Sequence, residues 1–178
     1  MSPFRRRPRT PDEGPPAPAD PAAIREAALK LLERRRRTRS DLVRRLRDRG
    51  FDNAAVAGVL DRLAAVGLVD DVEYARAFLS ERWGRRATGW RRLEGELRGR
   101  GIAPDAIAAA KARFEEERGP ADAVAAARRA VSQAERRYAS LDPRVRRQRL
   151  YALLVRRGFE SDVIEQALRP SPEPAAAD

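Results

Sequence analysis

Arginine carries the chemistry available to this chain. Of its 38 basic residues only Lys30 and Lys111 are lysines; set against 27 acidic residues they leave a net charge of +11 over 178 residues. A guanidinium is permanently charged and presents a planar fork of donors that matches carboxylates and phosphates. The chemistry on offer is therefore recognition of an acidic partner. Bond making is poorly supplied, because the chain has no Cys and no His. That removes disulfides, thiolate and imidazole metal sites, and the Ser-His, Cys-His and His-metal chemistries. The carboxylates fall in helix first turns or in solvated runs such as Glu115, Glu116 and Glu117, and no glycine-rich phosphate loop is present. The chain reads as a non-enzyme with no catalytic, cofactor or metal residues to assign.

Helical wheels sort the arginines. Arg44 and Arg47 fall roughly opposite Leu42 and Leu46, as Arg91 and Arg98 do relative to Leu93 and Leu97. These four, with Arg92 beside Trp90, the run Arg34, Arg35, Arg36 and Arg37, and the group Arg144, Arg146 and Arg147, are the candidates for contact with an acidic partner. A solvated helix face gives the same pattern. Arg49, Arg100 and Arg157 each stand just before a glycine at a helix end, where a cation meets the favourable end of the helix dipole, and that structural role suffices for them. By segment the net charge is +1 for residues 1–21, +6 for 22–69, +1 for 70–120, +5 for 121–169 and −2 for 170–178. Positive ends around a nearly neutral middle suit a protein that spans an acidic assembly such as a nucleoprotein.

The elements that must position these side chains are marked by a phrase used three times, Leu-x3-Leu-x3-Gly-Φ, with an aliphatic residue five positions later. It occurs as Leu42, Leu46, Gly50, Phe51, Val56; as Leu93, Leu97, Gly101, Ile102, Ile107; and as Leu150, Leu154, Gly158, Phe159, Ile164, at offsets of 51 and 57 residues. Two leucines four apart share a helix face, and a glycine four residues later can take the left-handed conformation that ends the helix. The pairs Leu46 and Phe51, Leu97 and Ile102, and Leu154 and Phe159 then stand at the two positions that touch in a Schellman motif. A second helix follows each Φ, opened by Asp52, by Pro104 with Asp105, and by Glu160, Ser161 and Asp162.

Nine helices are expected. The first runs from Ile24 to Arg37 with Ala28, Leu31 and Leu32 on one face, and Thr38 with Asp41 resembles a capping box for the next. The third closes at Gly67, with Leu63 and Leu68 as a further Schellman pair. Asp70 and Glu73 open the second unit, in which Tyr74 is set against Phe78 and Leu79 against Trp83 at helical spacing; Tyr74, Phe78 and Trp83 read as core before they read as a stacking platform for bases. Its middle helix runs from about Gly89 to Arg100. The third unit begins near Asp122, passes through Val124, Ala127 and Val131, and restarts at Asp142-Pro143. Strand signals are absent. The expected fold is all-α: an elongated, curved tandem array of three three-helix units at 22–69, 70–120 and 121–169, between disordered tails at 1–21 and 170–178. No apolar run could span a bilayer and the start lacks the apolar region of a signal peptide, so a cytoplasmic protein is expected.

These residues resemble the RecX family of recombination regulators. The resemblance rests on the tandem units, on the repeated phrases (Leu42 to Phe51, Leu93 to Ile102, Leu150 to Phe159), and on Gly67-Leu-Val-Asp-Asp-Val-Glu-Tyr-Ala-Arg-Ala-Phe-Leu79, similar to the family's Gly-Leu-hydrophobic-Asp-Asp-x-x-Tyr/Phe-Ala-x-x-Phe signature. Gly89-Trp-Arg-Arg-Leu-Glu-Gly-Glu-Leu97 is similar to its Gly-x-x-x-Leu-x-x-Glu-Leu segment, with Trp90 where Pro is common. The third unit is the weakest match. The resemblance implies binding to the RecA filament on single-stranded DNA and regulation, chiefly inhibition, of its ATPase, strand-exchange and co-protease activities in DNA repair, recombination and the SOS response. The partners implied are RecA and single-stranded DNA, with no cofactor and no membrane, and the protein is expected to act as a monomer.

Two other readings use the same residues. Gly50, Phe51, Val56 and Val59 have helix-turn-helix spacing, but that motif wants apolar residues at 45 and 49 and a small one at 46, where the chain has Arg45, Arg49 and Leu46. Sequence-independent DNA binding through phosphates stays open, as does a helical-repeat adaptor for an acidic protein.

Overall fold

A computed structural model describes residues 20–83, 87–118 and 122–169. Among the described residues it contains nine α-helices and no strand: α1 Pro21–Arg34, α2 Arg39–Arg47, α3 Asn53–Ala65, α4 Asp71–Arg82, α5 Trp90–Arg98, α6 Pro104–Arg118, α7 Ala123–Tyr138, α8 Pro143–Arg156 and α9 Ser161–Ala167. Helix packing is concentrated within α1 to α3, within α4 to α6 and within α7 to α9. Each group closes on its own core, which makes the molecule a tandem array of three three-helix units. The tails expected to be disordered lie outside the described residues, apart from Asp20 and Pro21 at the start of α1 and its cap.

The repeated phrase builds each unit as its spacing predicts. Leu42, Leu46, Leu93, Leu97, Leu150 and Leu154 are all buried, with Val56, Ile107 and Ile164 facing them from the next helix. Removing one such leucine side chain from water contributes about 1.5–3 kcal/mol. At each stop the amide after the glycine donates to the second leucine's carbonyl: Phe51 to Leu46 at 3.3 Å, Ile102 to Leu97 at 3.3 Å, Phe159 to Leu154 at 3.1 Å. Gly50, Gly101 and Gly158 have φ of 90°, 75° and 83°, the left-handed geometry that completes a Schellman stop. Gly67 ends α3 the same way, with the Leu68 amide donating to Leu63 at 2.9 Å, yet Leu68 stays half exposed. There the backbone half of the motif forms without a buried latch.

One boundary departs from expectation. α1 ends at Arg34, three residues before the expected Arg37, and Arg35 is extended. The cause is Arg37 itself. Its Nε donates to the Leu31 carbonyl at 2.9 Å, occupying the acceptor that the Arg35 amide would use if the helix continued.

The cores differ in substance. Those of the first two units hold Leu, Ile, Val and Phe, whereas the third is made of Ala87, Ala126, Ala127, Ala130 and Ala167 around Leu154, Phe159 and Ile164. Ala87 reaches it from the segment ahead of α5, so the second unit supplies a side chain to the third.

Candidate functional site

The joint between the first two units grows from the cap of α2. The Thr38 hydroxyl accepts from the Asp41 amide at 3.1 Å and donates to the Arg100 carbonyl at 3.0 Å, at the end of the second unit's middle helix. Asp41 does not return the other half of a capping box. Its carboxylate instead takes Arg37 at 2.7 Å, Arg45 at 2.9 Å and Arg44. Partial burial pushes the Asp41 pKa up, but the charge-assisted hydrogen bonds from Arg45, Arg37 and Arg44 outweigh it and hold the group down at about 2.

The acidic stretch at 70–73 divides its labour across this joint. Asp70 caps its own helix through the Glu73 amide at 2.9 Å, while Asp71 reaches into the first unit and accepts the Arg39 amide of α2 at 2.9 Å. Burial raises the Asp71 pKa against the lowering effect of that hydrogen bond. Glu73 binds Arg76 at 2.7 Å and Arg36 at 3.1 Å. The Arg76 hydrogen bond, against some burial and with help from Arg36, brings Glu73 down to about 2. Neighbouring aspartates thus cap two helices from two units, and the glutamate ties the units together.

The second joint repeats the plan with backbone groups. The Gly89 amide donates to the Arg157 carbonyl at 2.8 Å and the Arg91 amide to the Gly158 carbonyl at 3.1 Å. A Cβ on Gly89 would collide with the Gly158 and Phe159 backbone, one on Gly158 with Arg92, and one on Gly101 with Ser40. In both joints the N-terminus of one unit's middle helix meets the glycine turn that ends the next unit's middle helix. The helix dipoles α2, α5 and α8 are therefore coupled positive end to negative end.

The candidate arginines fall into distinct groups around these joints. Arg37 is a correction: it is 9 % exposed and bound to Leu31 and Asp41, so it positions α2 and presents no guanidinium to a partner. Arg35 and Arg36 join Arg44 and Arg100 around a cleft at the first joint, with Tyr74 and Gly99 opposite, but Arg36 and Arg44 already hold Glu73 and Asp41. Arg92 pairs with Glu96 at 3.5 Å and Arg98 with Glu94 at 2.8 Å. Arg34, Arg47 and Arg91 are exposed and have no ion-pair partner among the described residues. Tyr74 and Trp83 pack partly buried against the second core, where Phe78 is buried, and Arg82 and Arg100 lie 5.0 and 4.7 Å from the Phe78 ring centre. Trp90 packs there too, under Lys111 at 4.7 Å.

The third unit differs. Every ion pair among the described residues lies in the first two units or between them. Arg144 and Arg146 carry no neutralising partner, and Arg147 donates to the Leu168 carbonyl at 3.1 Å. Arg128 and Arg169, which sequence reasoning passed over, line a groove with Arg146 and Arg147. A signal existed for Arg128: no acidic residue stands three or four positions away on either side. Among the described residues no cluster of His, Cys, Asp and Glu could hold a metal, and no helix is long and apolar enough to cross a membrane.

Comparison with known proteins places this architecture. Family models described as the first, second and third three-helix domains of RecX match residues 25–63, 70–110 and 121–168. "Regulatory protein RecX" of Thermobifida fusca (strain YX) is 35 % identical over 162 residues, covering 88 % of this chain and 85 % of that protein. The protein of the same name from Halorhodospira halophila (strain DSM 244 / SL1) is 39 % identical over 153 residues, covering 85 % and 89 %. A crystal structure of regulatory protein RecX superposes with a TM-score of 0.71 at 26 % identity, covering 83 % of this chain and 72 % of that one. RecX from Lactobacillus salivarius gives 0.73 at 20 % identity, covering 83 % and 94 %, and speaks for the fold alone.

Proposed function

Because the chain belongs to the RecX family of regulatory proteins, we propose that it binds the RecA filament on single-stranded DNA and inhibits its ATPase, strand-exchange and co-protease activities without catalysing a reaction. The observation that carries this reading is the division of charge along a jointed line of units. In the first two, carboxylates of the chain itself engage many of the arginines; in the third no guanidinium is ion-paired among the described residues. Three units joined through their middle helices can reach across more than one protomer of a repeating assembly. Binding of that kind favours the bridged conformation of the filament over the conformations it must visit to turn over ATP or add subunits. The protein acts as a monomer in the cytoplasm, in DNA repair, recombination and the SOS response.

The test is RecA ATPase on single-stranded DNA with the protein added well below equimolar amounts. Strong inhibition is expected, since one bridging molecule affects several protomers. Full ATPase activity together with tight binding to bare DNA would favour sequence-independent phosphate binding, the second reading that unpaired arginines support. In that case affinity would fall steeply with salt, in proportion to the number of phosphates neutralised.

A further inference from the structure

The third unit holds a groove between α7, α8 and the end of α9. Its floor is apolar, made by Val131, Leu150, Ala167 and Leu168, and Arg128, Arg146, Arg147 and Arg169 stand around it with Glu135 as the opposing carboxylate. Among the described residues Arg128, Arg146 and Arg169 have no ion-pair partner, whereas each of the other two units neutralises arginines internally. The groove encloses about 690 Å³, within the range that takes a ligand of several side chains and too large for one anion.

Its origin lies in the helix that makes one wall. The first leucine of the repeated phrase is the fourth helical residue of α2 and of α5 but the eighth of α8, so α8 carries an extra N-terminal turn, Pro143 to Arg146. In the first two units the equivalent end is covered by the next unit's glycine turn. Among the described residues no glycine turn covers this end of α8, and the extra turn instead carries Arg146 to the groove.

We propose that this groove is a docking site for an acidic protein segment that inserts one or two apolar side chains between the arginines. Four cations against one carboxylate call for an anionic occupant, and the apolar floor calls for side chains that leave water on binding. Among the described residues no aromatic ring lines the groove, so they supply no stacking platform of the kind on which single-stranded nucleic acid gains most of its base contact. The chemistry of the occupant follows from the groove and does not depend on the recombinase being the protein that carries the segment.

The experiment uses the full chain and fluorescence anisotropy with a labelled acidic dodecapeptide bearing two leucines four positions apart. Its controls are the same peptide with serines for leucines and an oligo(dT) of equal length. The leucine peptide is expected to bind about tenfold tighter than the serine peptide, a difference of about 1.4 kcal/mol. Arg128→Glu with Arg146→Glu should weaken the leucine peptide about tenfold. Ser132→Trp, which fills the groove from an exposed position on α7 and leaves every arginine in place, should weaken that peptide and spare oligo(dT). Equal binding of the two peptides, or peptide binding unchanged by Ser132→Trp in a folded variant, would overturn the proposal in favour of plain charge attraction. Displacement of the peptide by oligo(dT), with oligo(dT) binding itself lost in Ser132→Trp, would overturn it in favour of a nucleic-acid groove. Circular dichroism checks that helicity is kept. If the tryptophan variant fails to fold, the double arginine variant decides the question: leucine-peptide binding that it leaves unchanged overturns the proposal.

Discussion

Glycines in this chain do two separable jobs, and two positions isolate them. Gly50 has a left-handed φ of 90° with nothing within 4 Å of an added Cβ, while Gly89 has an ordinary φ of −78° and would drive a Cβ into the Gly158 and Phe159 backbone. Gly50→Ala should therefore cost the first unit about 1–2 kcal/mol of backbone strain and leave the joints closed. Gly89→Ala should leave the first unit intact and open the second joint, read by hydrogen exchange as lost protection of the Arg91 amide that donates to Gly158. Carboxylates give a second test. Asp41 and Glu73 both sit at about 2 in the folded chain against ordinary values of 3.8 and 4.5. A depressed folded pKa contributes stability that is complete above the unfolded value and is lost as the carboxylate protonates, so the urea midpoint should fall as pH drops from about 5 toward 2. Asp71, raised by burial, works in the opposite sense and offsets part of that fall. Glu73→Gln should flatten the profile, and an unchanged profile would remove the Arg36 and Arg76 pairs from the account.

At the scale of elements, the third unit should be the weakest. Five of the eight buried residues in its core are alanines, which offer little apolar area each, and it has no ion pair among its described residues. Native-state hydrogen exchange should show α7 to α9 opening at lower free energy than α4 to α6. Leu154→Ala should cost about 2–5 kcal/mol and unfold that unit locally, leaving the Leu97 core protected. Much of this element structure was legible in the sequence. The leucine spacing, the four glycine stops and the caps at Thr38, Asp52, Asp70 and Asp142 are local patterns, and each cap accepts a first-turn amide, although Thr38 and Asp41 form only half of the expected box. What escaped is contact between residues far apart in the chain. The early end of α1 depends on a side chain folding back, Asp71 caps a helix 32 residues away, and Thr38 meets Arg100 at a separation of 62. The candidate site was legible in the same degree: helical wheels place Arg44, Arg47 and Arg91 outward, but the neutralisation of Arg36 by Glu73 crosses units and leaves no mark in either local pattern.

For the whole molecule, the head-to-tail joints raise the question of whether one copy could extend another. Among the described residues nothing lies within 4 Å of a Cβ built on Gly50, whereas the same turn in the later units receives a neighbouring helix N-terminus. A second copy could in principle dock its α8 start there and continue indefinitely, since a heterologous contact that does not close on itself generates a filament. The start of α8 withholds what such a contact needs. Asp142 already accepts from the Arg144 and Val145 amides at 2.9 and 3.4 Å, so the counterpart of the Arg91 donor is taken, and Asp142 places a side chain at the cap position that α5 fills with Gly89. The chain should remain monomeric in sedimentation at all practical concentrations, and its unmet contacts should be directed to other molecules. Those contacts are concentrated in the third unit, which orders the expected effects of charge reversal. Arg144→Glu with Arg146→Glu adds negative charge where no carboxylate of the chain was being served, and should weaken inhibition of RecA ATPase about tenfold. Arg44→Glu with Arg47→Glu should weaken it less and also lower stability, because Arg44 is lost as a partner of Asp41. Raising salt should narrow the gap between wild type and the third-unit variant, as screening removes the attraction that the variant already lacks; a gap that is constant with salt would assign those arginines a packing role.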